Sequence, residues 1–427
     1  MPDMLPAMQK HLSPLEMEVL KRLGGLAVDG GMEAWLVGGV VRDIMLGVGA
    51  GDLDVVVEGN GLEFARKASK ELGANLIEYE RFLTATLQFP DLSRVDIATA
   101  RTEVYDNPGS LPRVSPAPVR DDMRRRDITI NAMALSITRG KFAELFDPFD
   151  GAGDIAGKTI RVLHDRSFID DPTRILRVAR FEARFGFNMD QQTLKLLYGA
   201  VAGGVFETIS ADRLREELFL VFHEHEPGPA FVRMGELGVL ADIIPGVDTG
   251  GDLPRFLVDA HRVAGLVEKG KEWDPAILGL LLLVRGISPD QSARLADRLN
   301  LNASGRRAVS MAGELPQIAH QAGTSAMSGL HGLLADAPLE VKLAVLVMME
   351  NETSRRLLVE YMRQGREARP ETTGDDLIKM GYNRGPGLKR ILDALLVEKL
   401  DGRVNTRGEE EVFVRENFTP PDGEAEA

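Results

Sequence analysis

The sequence predicts an α/β domain at the start of the chain, followed by helical segments that continue through its C-terminal part. Short apolar runs with strand character alternate with amphipathic helical stretches up to about residue 164. After residue 170 the apolar spacing is helical and stays helical. With 427 residues the chain is long enough for about two to four domains.

Local signals mark several elements. Ser13-Pro14-Leu15-Glu16 has the residues of a helix capping box, and Ser288-Pro289-Asp290-Gln291 repeats that pattern before a helix expected to end near 300–302. Further helices are predicted to open near Val41 and to span 62–72. Strands are predicted at 34–37, 53–57, 76–79, 84–89 and 94–98.

Breaks in the sequence pattern predict four domains. The segment 106–118 contains four prolines without apolar periodicity, which predicts a mobile loop or a plain connector. Polar and small residues interrupt the helical part near 226–229 and 365–374, and the last residues have a disordered composition. The predicted domains are 1–164, 165–225, 226–365 and 366–427.

The composition excludes several classes of protein. The formal net charge of −14 argues against a protein that coats nucleic acid non-specifically. Because there is no cysteine, disulfides and thiolate metal sites are excluded, and a reducing compartment, the cytoplasm, is expected. The longest apolar run, 277–284, is too short to cross a bilayer, and the first residues lack the pattern of a signal peptide. We therefore expect no membrane partner.

Two carboxylates separated by one residue follow a glycine-rich turn. Asp52 and Asp54 flank Leu53 in a segment that reads as a strand, so both are expected on one face, roughly 7 Å apart at their Cα atoms. Two anions this close repel each other unless a cation lies between them. Carboxylates suit Mg²⁺, which commonly binds through one or two of them together with substrate phosphates. The preceding Gly38 and Gly39 allow the backbone to approach a phosphate closely.

A third carboxylate, Asp96, lies in the short alternating strand 94–98. It is consistent with two Mg²⁺ ions, one activating an attacking hydroxyl and the other holding a triphosphate. Taken alone, an Asp-x-Asp pair or a single strand aspartate is more often an ordinary surface feature. The carboxylates by themselves therefore leave both interpretations open.

Basic residues form three groups; the alternative interpretation is a solvated basic surface for the two groups before residue 190 and a plain helix–turn–helix for the C-terminal group. After Asp170-Asp171-Pro172, in which Asp171 is the expected N-cap, arginines recur at helical spacing. Those arginines are Arg174, Arg177, Arg180 and Arg184. The other groups are Arg124, Arg125 and Arg126, and then Arg384, Lys389, Arg390, Lys399, Arg403 and Arg407. In the segment 209–218, Arg213 and Glu217 are expected to pair at i,i+4.

These motifs together resemble those of the DNA polymerase β-like nucleotidyltransferases, in the form found in the bacterial class II tRNA nucleotidyltransferase and poly(A) polymerase family. The resemblance rests on Gly38-Gly39-x-x-Arg42-Asp43 with Asp52-x-Asp54, on the segment 124–132, and on Asp170-Asp171-x-x-Arg174. Ile128 stands where the family usually has an aromatic residue, and Asp170 where it has glutamate. The resemblance extends over roughly residues 12–410.

The resemblance implies a fold and a set of roles. The implied fold is an α/β nucleotidyltransferase head with a mixed sheet, followed by an all-α neck, body and tail. The implied catalytic and metal-binding residues are Asp52, Asp54 and Asp96. NTP phosphate and ribose would be bound by Gly38, Gly39, Arg42, Arg126, Asp127 and Asn131. The base would be read by Asp170, Asp171, Arg174, Arg177 and Arg180, and tRNA would be bound by Arg384, Lys389 and Arg390.

The base-reading role has a chemical logic. A carboxylate such as Asp171 accepts from the exocyclic amine that cytosine and adenine both carry, and Arg174 donates to ring acceptors on the same edge. Uracil presents a carbonyl in place of the amine and would be rejected. The segment 209–218 is expected to brace this helix, and 147–155 is a candidate hinge.

The implied function is template-independent addition of A, or of CCA, to the 3′ end of tRNA with release of pyrophosphate. The expected partners are the tRNA 3′ end and ATP, with CTP left open, and Mg²⁺ is the expected cofactor; no DNA partner is expected. A CC-adding enzyme and a bacterial poly(A) polymerase are the alternatives, and the loop at 106–118 favours A or CCA addition. A non-catalytic RNA-binding module is disfavoured because Asp52 and Asp54 are both present, and a small-molecule transferase because of the long helical part.

Overall fold

The computed structural model describes residues 4–49, 51–90, 94–265, 273–363 and 368–420. It divides into two compact units, Met1–Pro245 and Gly246–Ala427. The predicted α/β head with a mixed sheet, followed by a mostly helical remainder, is confirmed. The finer division into four domains stays a prediction.

The first unit contains every strand that the structure describes. Its strands are β1 (Glu33–Val37), β2 (Leu53–Glu58), β3 (Asn75–Tyr79), β4 (Thr84–Gln88), β5 (Val95–Thr99), β6 (Arg101–Val104), β7 (Arg113–Pro116), β8 (Ala134–Ser136), β9 (Leu145–Phe146), β10 (Thr159–Ile160) and β11 (Asn188–Met189). Its α-helices are α1 (Leu5–His11), α2 (Pro14–Asp29), α3 (Gly39–Leu46), α4 (Gly61–Leu72), α5 (Val119–Arg124), α6 (Gly151–Ala156), α7 (Ser167–Asp170), α8 (Thr173–Phe185), α9 (Gln191–Ala202), α10 (Ala211–Phe222), α11 (Pro227–Glu236) and α12 (Val239–Ile243).

A seven-stranded sheet forms the centre of this unit. Its strand order is β3-β4-β5-β2-β1-β8-β9, in which β2 and β5 run parallel and the other neighbours antiparallel. The parallel pair brings two separate aspartate-bearing strands side by side. In that register Asp54 lies opposite Asp96.

The two faces of the sheet are covered differently. Val55 and Ile97 belong to one core with Leu20 of α2 and Phe64 of α4. Asp54 precedes Val55 on the same strand, so its side chain points to the opposite face.

The opposite face is covered over its β1 and β2 part. Trp35, Val37 and Val56 form a second core there with Val119 and Met123 of α5. Asp54 is therefore located beside this smaller core, where β2 begins.

The second unit is helical throughout its described part. Its helices are α13 (Leu253–Ala264), α14 (Pro275–Leu283), α15 (Pro289–Arg298), α16 (Ala303–Ser310), α17 (Leu315–Ala322), α18 (Met327–Leu334), α19 (Leu339–Met348), α20 (Glu352–Arg363), α21 (Gly374–Lys379), α22 (Pro386–Leu400) and α23 (Arg407–Asn417). Buried α14 and α19 contribute to its interior. A separate small core, which includes Leu377, Leu395 and Val414, joins α21, α22 and α23.

Both predicted capping boxes are confirmed. The Ser13 hydroxyl accepts from the Glu16 N–H while the Glu16 carboxylate accepts from the Ser13 N–H, and Ser288 and Gln291 make the same reciprocal pair. No helix within the described ranges is long and apolar enough to cross a membrane.

Two local predictions need correction. Residues 113–116 are a strand, β7, which pairs antiparallel with β6, so the loop is shorter than 106–118. The proline that ends this strand, Pro116, is tolerated because β6 and β7 form a separate two-stranded ribbon. Helix α8 begins at Thr173 with Pro172 at the N-cap position, one residue later than predicted, although Asp171 still accepts from the Thr173 N–H.

Candidate active site

Three carboxylates meet where β2 and β5 begin. Asp54 lies on β2 opposite Asp96 on β5, and Asp52 comes just before β2. Arg94 joins two of them, because its Nη2 lies 2.7 Å from Asp52 Oδ2 and its Nε 3.5 Å from Asp96 Oδ2. Thr86 of the neighbouring strand donates from its hydroxyl to Asp96 Oδ1 at 2.6 Å. Two of the three predicted carboxylates are therefore paired with a cation that the protein itself supplies.

Asp54 is the least compensated of the three carboxylates. Within the described residues it accepts no hydrogen bond and forms no ion pair. Burial raises its pKa from 3.8 to about 6; the charge of Arg126 opposes this shift, and the charges of Asp96 and Asp52 add to it. A cation beside Asp54 would remove the cost of ionising it.

Gly38 shapes the space above Asp54. Its φ of +80° lies in the left-handed region, which favours glycine. A Cβ atom on this residue would lie 3.0 Å from Arg126 Nη1 and 3.5 Å from Asp54 Oδ2. Gly38, followed by Gly39 at the start of α3, thus keeps a small polar space open between a carboxylate and a guanidinium.

Arg126 faces that space with hydrogen-bonding capacity left over. Its Nη1 donates to the Asn131 carbonyl at 3.3 Å, and its Nη2 lies 3.2 Å from Asp122 Oδ2. Its Nε is buried and has no hydrogen-bond partner among the residues that the structure describes. The atom beside the glycine turn is Nη1, which makes one long hydrogen bond, and a guanidinium in this position suits a phosphate oxygen.

A chain of buried polar contacts links the predicted ribose and phosphate residues. Arg42 pairs with Asp43 at 2.8 Å and donates to Asn131 Oδ1 at 2.6 Å. Asn131 donates in turn to Asp127 Oδ1 at 3.0 Å, and Arg177 lies 2.8 Å from Asp127 Oδ2. Asn131 and Asp127 are buried and already have partners, so their predicted contact with ribose stays a prediction.

Asp127 is strongly held in its ionised form. Burial alone would raise its pKa, but the charge of Arg177 and hydrogen bonds from Asn131, Arg177 and the Ile128 N–H outweigh burial and lower it to about 2. This carboxylate therefore carries its negative charge at neutral pH. Its ionisation fixes the start of the segment 127–132 against α8.

The predicted base-reading residues lie at the junction of α7 and α8. Asp171 Oδ1 accepts from the Thr173 N–H at 3.1 Å and from Arg213 Nη2 at 2.7 Å. Within the described residues its other oxygen, Oδ2, accepts nothing. Arg174 is buried and donates to the Ser167 hydroxyl at 2.9 Å and to the Arg125 carbonyl at 2.6 Å.

Asp170 is less involved in this arrangement. It pairs with the exposed Arg166 at 2.9 Å, and its backbone carbonyl accepts from the Gly109 N–H at 3.3 Å. Arg213 donates to the Gly109 carbonyl at 2.9 Å. The loop between β6 and β7, predicted to be mobile or a plain connector, thus contacts the segment predicted to read the base.

The solvated-surface interpretation is wrong for Arg174 and Arg180, which are buried, whereas Arg177 is partly exposed and Arg184 is exposed. Arg177 also contacts Glu217 at 3.1 Å, Arg180 contacts Glu224 at 3.2 Å, and Arg184 lies 3.7 Å from Glu224. Their acidic partners lie on or directly after α10, and this arrangement satisfies cations that would otherwise be costly to bury.

The predicted i,i+4 pair within α10 is also wrong. Arg213 points to Asp171 and Glu217 points to Arg177, because both side chains are drawn to opposite charges on a neighbouring element. The segment 209–218 nevertheless contacts α8 and the residue that precedes it. Its predicted bracing role is therefore consistent with these contacts.

In the second unit, three of the predicted tail cations are unpaired. Arg384, Lys389 and Arg390 are exposed, and no acidic partner is seen for them in the described ranges of the chain. The other three basic residues of this group all have acidic partners. Lys399 pairs with Glu371 and Glu410, Arg403 with Glu398 and Asp401, and Arg407 with Asp376 and Glu411.

Comparison with known proteins identifies the family. The family model for the poly A polymerase head domain matches residues 34–161, which include the sheet and the acidic group. An A-adding tRNA nucleotidyltransferase of Halalkalibacterium halodurans is 30% identical over 418 residues, which are 97% of this chain and 96% of that relative. The chain belongs to the tRNA nucleotidyltransferase family. Nucleotidyltransferases of this kind generally depend on a divalent metal ion.

Other relatives agree with this assignment. An A-adding tRNA nucleotidyltransferase of Geobacter sulfurreducens is 32% identical over 419 residues. These residues are 96% of this chain but 48% of the relative, so this chain spans about half the length of that relative. A solved CCA-adding enzyme in an apo form has 31% identity and a TM-score of 0.85, with 98% of this chain and 99% of that chain covered. The Thermotoga maritima CCA-adding enzyme complexed with tRNA has 29% identity and a TM-score of 0.77, with 97% and 98% covered.

The acidic group of this nucleotidyltransferase fits a divalent cation in its chemistry. Asp52, Asp54 and Asp96 supply hard oxygen ligands, and two of them already hold the positive charge of Arg94. In the described parts of the chain no three acidic, histidine or cysteine side chains are arranged as a finished metal site. In this arrangement Arg94 supplies the positive charge that two of these carboxylates share.

Sequence reasoning missed several residues of the site. Arg94 had a signal, because it alternates with Asp96 on one strand and so shares its face. Thr86 and Asp122 had none, since their roles depend on strand pairing and on the fold of α5 rather than on a motif, and for Arg213 the sequence indicated a bracing segment but the wrong partner. Asp122 is fully buried and pairs with both Arg125 and Arg126.

Proposed function

We propose that this nucleotidyltransferase transfers AMP from ATP to the 3′ end of tRNA without a template and releases pyrophosphate. The observation that carries the transfer chemistry is the half-buried Asp54 beside Gly38 and Arg126, a carboxylate and a guanidinium that face one small space. The substrate and the added nucleotide are inferred from relatives over the full length of this chain that are named A-adding. We further propose that the protein works in the cytoplasm.

We propose that the protein's own groups hold the nucleoside triphosphate in place. Arg126 and the backbone at Gly38 and Gly39 contact the triphosphate oxygens, and Asp52, Asp54 and Asp96 hold Mg²⁺. When bound, Mg²⁺ would neutralise triphosphate charge and activate the attacking 3′-hydroxyl. The contacts from Arg42 through Asn131 and Asp127 to Arg177 keep the surrounding backbone rigid, which preserves this alignment.

We propose that Asp171 and Arg174 read the incoming base. The Oδ2 atom of Asp171 is an acceptor without a partner among the described residues, and the contacts of Arg174 to Ser167 and Arg125 fix its plane while leaving other N–H groups available. An adenine or cytosine amine can donate to that oxygen, whereas uracil cannot. The four-part division of the chain fits this arrangement, with transfer in 1–164 and base reading in 165–225; the body is 226–365 and the tail 366–427.

Arg213→Met is expected to lower kcat/KM for ATP about tenfold, because losing a charge-assisted hydrogen bond costs about 1.5–3 kcal/mol and Asp171 would lose its fixed orientation. Steady-state kinetics with tRNA ending in CC measure the change. Arg215→Met is the matched control, because Arg215 lies on the same helix and pairs with Asp212. Equal losses in both variants would contradict the orienting role.

Replacing Arg384, Lys389 and Arg390 together by glutamine is expected to weaken tRNA binding. Because each released phosphate contact flattens the salt dependence, the slope of log K against log salt should become less steep by about 2 to 3. Titrations of labelled tRNA between low and physiological salt measure it. Arg403→Gln is the control, since Glu398 and Asp401 already neutralise that charge; a triple variant with an unchanged slope would exclude this patch from the tRNA contact.

Labelled nucleotide incorporation tests the function directly. Each NTP is offered separately with tRNA ending at position 73, 74 or 75. The proposal predicts incorporation from ATP alone, onto tRNA ending at position 75. No incorporation from any NTP, by a folded protein that binds tRNA, would contradict it and favour an RNA-binding module.

CCA addition is the second candidate, and a specific observation favours it. Solved structures that match this chain over nearly its whole length include complexes of a CCA-adding enzyme with ATP and with CTP. A relative of Deinococcus radiodurans named as CC-adding is 30% identical over 394 residues. Incorporation from CTP onto tRNA ending at position 73 or 74 would change the assigned function from A addition to CCA or CC addition.

A further inference from the structure

We propose that the outer part of the sheet, carrying Ile77 and Tyr79 of β3, is the surface on which the unpaired 3′-terminal nucleotides of the acceptor RNA lie. This inference rests on the proposed function, because it places the attacking strand beside the acidic group.

The strand register connects this surface to the carboxylates. Ile77 lies opposite Thr86, Thr86 opposite Asp96, and Asp96 opposite Asp54. Directly opposed residues share one face of a sheet, so all four lie in one row. At a strand spacing of about 4.8 Å, Ile77 lies on the order of 10 Å from Asp96. Tyr79 lies in the adjacent row, opposite Thr84 of β4.

The exposure of this face changes along the sheet. Trp35 and Val56, on the same face at β1 and β2, are buried beneath α5. At the other end Ile77 is 39% exposed and Tyr79 50% exposed. A single exposed apolar residue needs no explanation, but Ile77 in the row of the acidic group and Tyr79 in the adjacent row together form an apolar extension of that face.

The chemistry of the surface suits a single-stranded nucleic acid. Such strands bind where aromatic rings accept stacked bases and cations follow the backbone. Arg81 is exposed next to the strand, 5.6 Å from the ring centroid of Phe82, and no acidic partner is seen for it within the described residues. Glu78 and Glu80 would repel a phosphate; Arg66 pairs with Glu78 at 2.8 Å and lies 3.9 Å from Glu80, so one cation offsets part of their charge.

The position of the surface favours RNA over a protein partner. β3 is an edge strand, and an edge can also pair with a second copy of the chain. Pairing at that edge would extend the sheet beyond β3 and leave the face open, whereas a protein lying on the face would cover the row that leads to Asp96, whose carboxylate accepts from Thr86. A strand of RNA that ends at the carboxylates uses the same face without that conflict.

Tyr79→Ala tests the proposal in two measurements on the full-length protein. The first compares, by fluorescence anisotropy, the affinity for a minihelix with a single-stranded 3′ end and the affinity for the same minihelix with a blunt end. The expected result is that wild type prefers the single-stranded end and that Tyr79→Ala loses at least about fivefold of that preference. Tyr79→Phe should restore it, since stacking needs only the ring. Tyr198→Ala, which removes an equally exposed tyrosine from α9, is the matched control.

The second measurement is photo-crosslinking from 4-thiouridine at the 3′-terminal nucleotide, mapped by peptide mass spectrometry. The expected crosslink lies in residues 75–82. Equal binding by Tyr79→Ala and Tyr198→Ala, a crosslink elsewhere, or a Tyr79→Ala protein that changes from dimer to monomer would each overturn the proposal. Both measurements need no nucleotide transfer, so a wild type that binds the single-stranded end without incorporating nucleotide would refute the proposed function and leave this surface supported.

Discussion

Replacing Asp54 by asparagine is expected to abolish nucleotidyl transfer while tRNA binding persists. Asparagine keeps the shape of the side chain but lacks the negative charge that the Asp54 carboxylate places beside Gly38 and Arg126. Removing one preorganised electrostatic group from an active site typically costs about 10²–10³-fold in rate, and a group that also holds a metal should cost at least that. Single-turnover incorporation of labelled AMP measures the effect, and tRNA anisotropy measures binding.

Two controls separate chemistry from folding in this experiment. Asp29→Asn removes an exposed carboxylate at the end of α2 and should leave the rate unchanged. Asp52→Ala should behave like Asp54→Asn, with transfer lost and tRNA binding kept. An Asp54→Asn protein that transfers AMP at the wild-type rate would remove the acidic group from the mechanism.

Replacing Arg177 by methionine is expected to lower the free energy of unfolding by about 3 kcal/mol. The change leaves Asp127 buried without its main counter-charge, and breaking one side of a buried ion pair typically costs about 3–5 kcal/mol. The lower end applies because the Arg177 side chain is 30% exposed. Urea denaturation at pH 7 measures the difference.

The stability that Arg177→Met loses relative to wild type is expected to depend on pH. The pKa of Asp127 is lowered to about 2 in the folded protein from an ordinary 3.8, against the effect of burial, mainly by the charge of Arg177. A lowered pKa contributes stability above the unfolded value and loses it as pH falls through the folded value. The gap in stability between wild type and Arg177→Met should therefore narrow between about pH 4 and pH 2.

A surface ion pair provides the comparison for this prediction. Arg166→Met removes an exposed arginine from its pair with Asp170 and should cost less than about 1 kcal/mol. If Arg177→Met and Arg166→Met were equally stable, or if the Arg177→Met deficit stayed constant down to pH 2, packing rather than charge would explain the effect.

The sheet and its acidic group were largely predictable from the sequence. Strand alternation predicts that Asp52 and Asp54 share one face of one short strand segment and that Asp96 lies on a second strand. The strand order, with β5 next to β2, depends on long-range pairing and was not evident, although it decides that Asp54 faces Asp96. The exposed strand β7 was missed because its four residues are too short and too polar to show periodicity.

The partners of the arginines on α8 could not be predicted. Local spacing shows that Arg177 and Arg180 share a helix face, and a shared charged face usually indicates solvent. Their acidic partners, Asp127, Glu217 and Glu224, are 50, 40 and 44 residues away along the chain. Only the three-dimensional packing around α8 reveals that both arginines are paired and that Arg180 is buried.

The central claim is that this acidic group directs transfer from a nucleoside triphosphate to an RNA 3′ end. The most direct test measures AMP incorporation and pyrophosphate release together, in one turnover, on tRNA ending in CC. We predict one pyrophosphate released for each AMP added, and neither product with Asp54→Asn. Pyrophosphate released without AMP joined to the RNA, or both products formed at the wild-type rate by Asp54→Asn, would contradict the assignment.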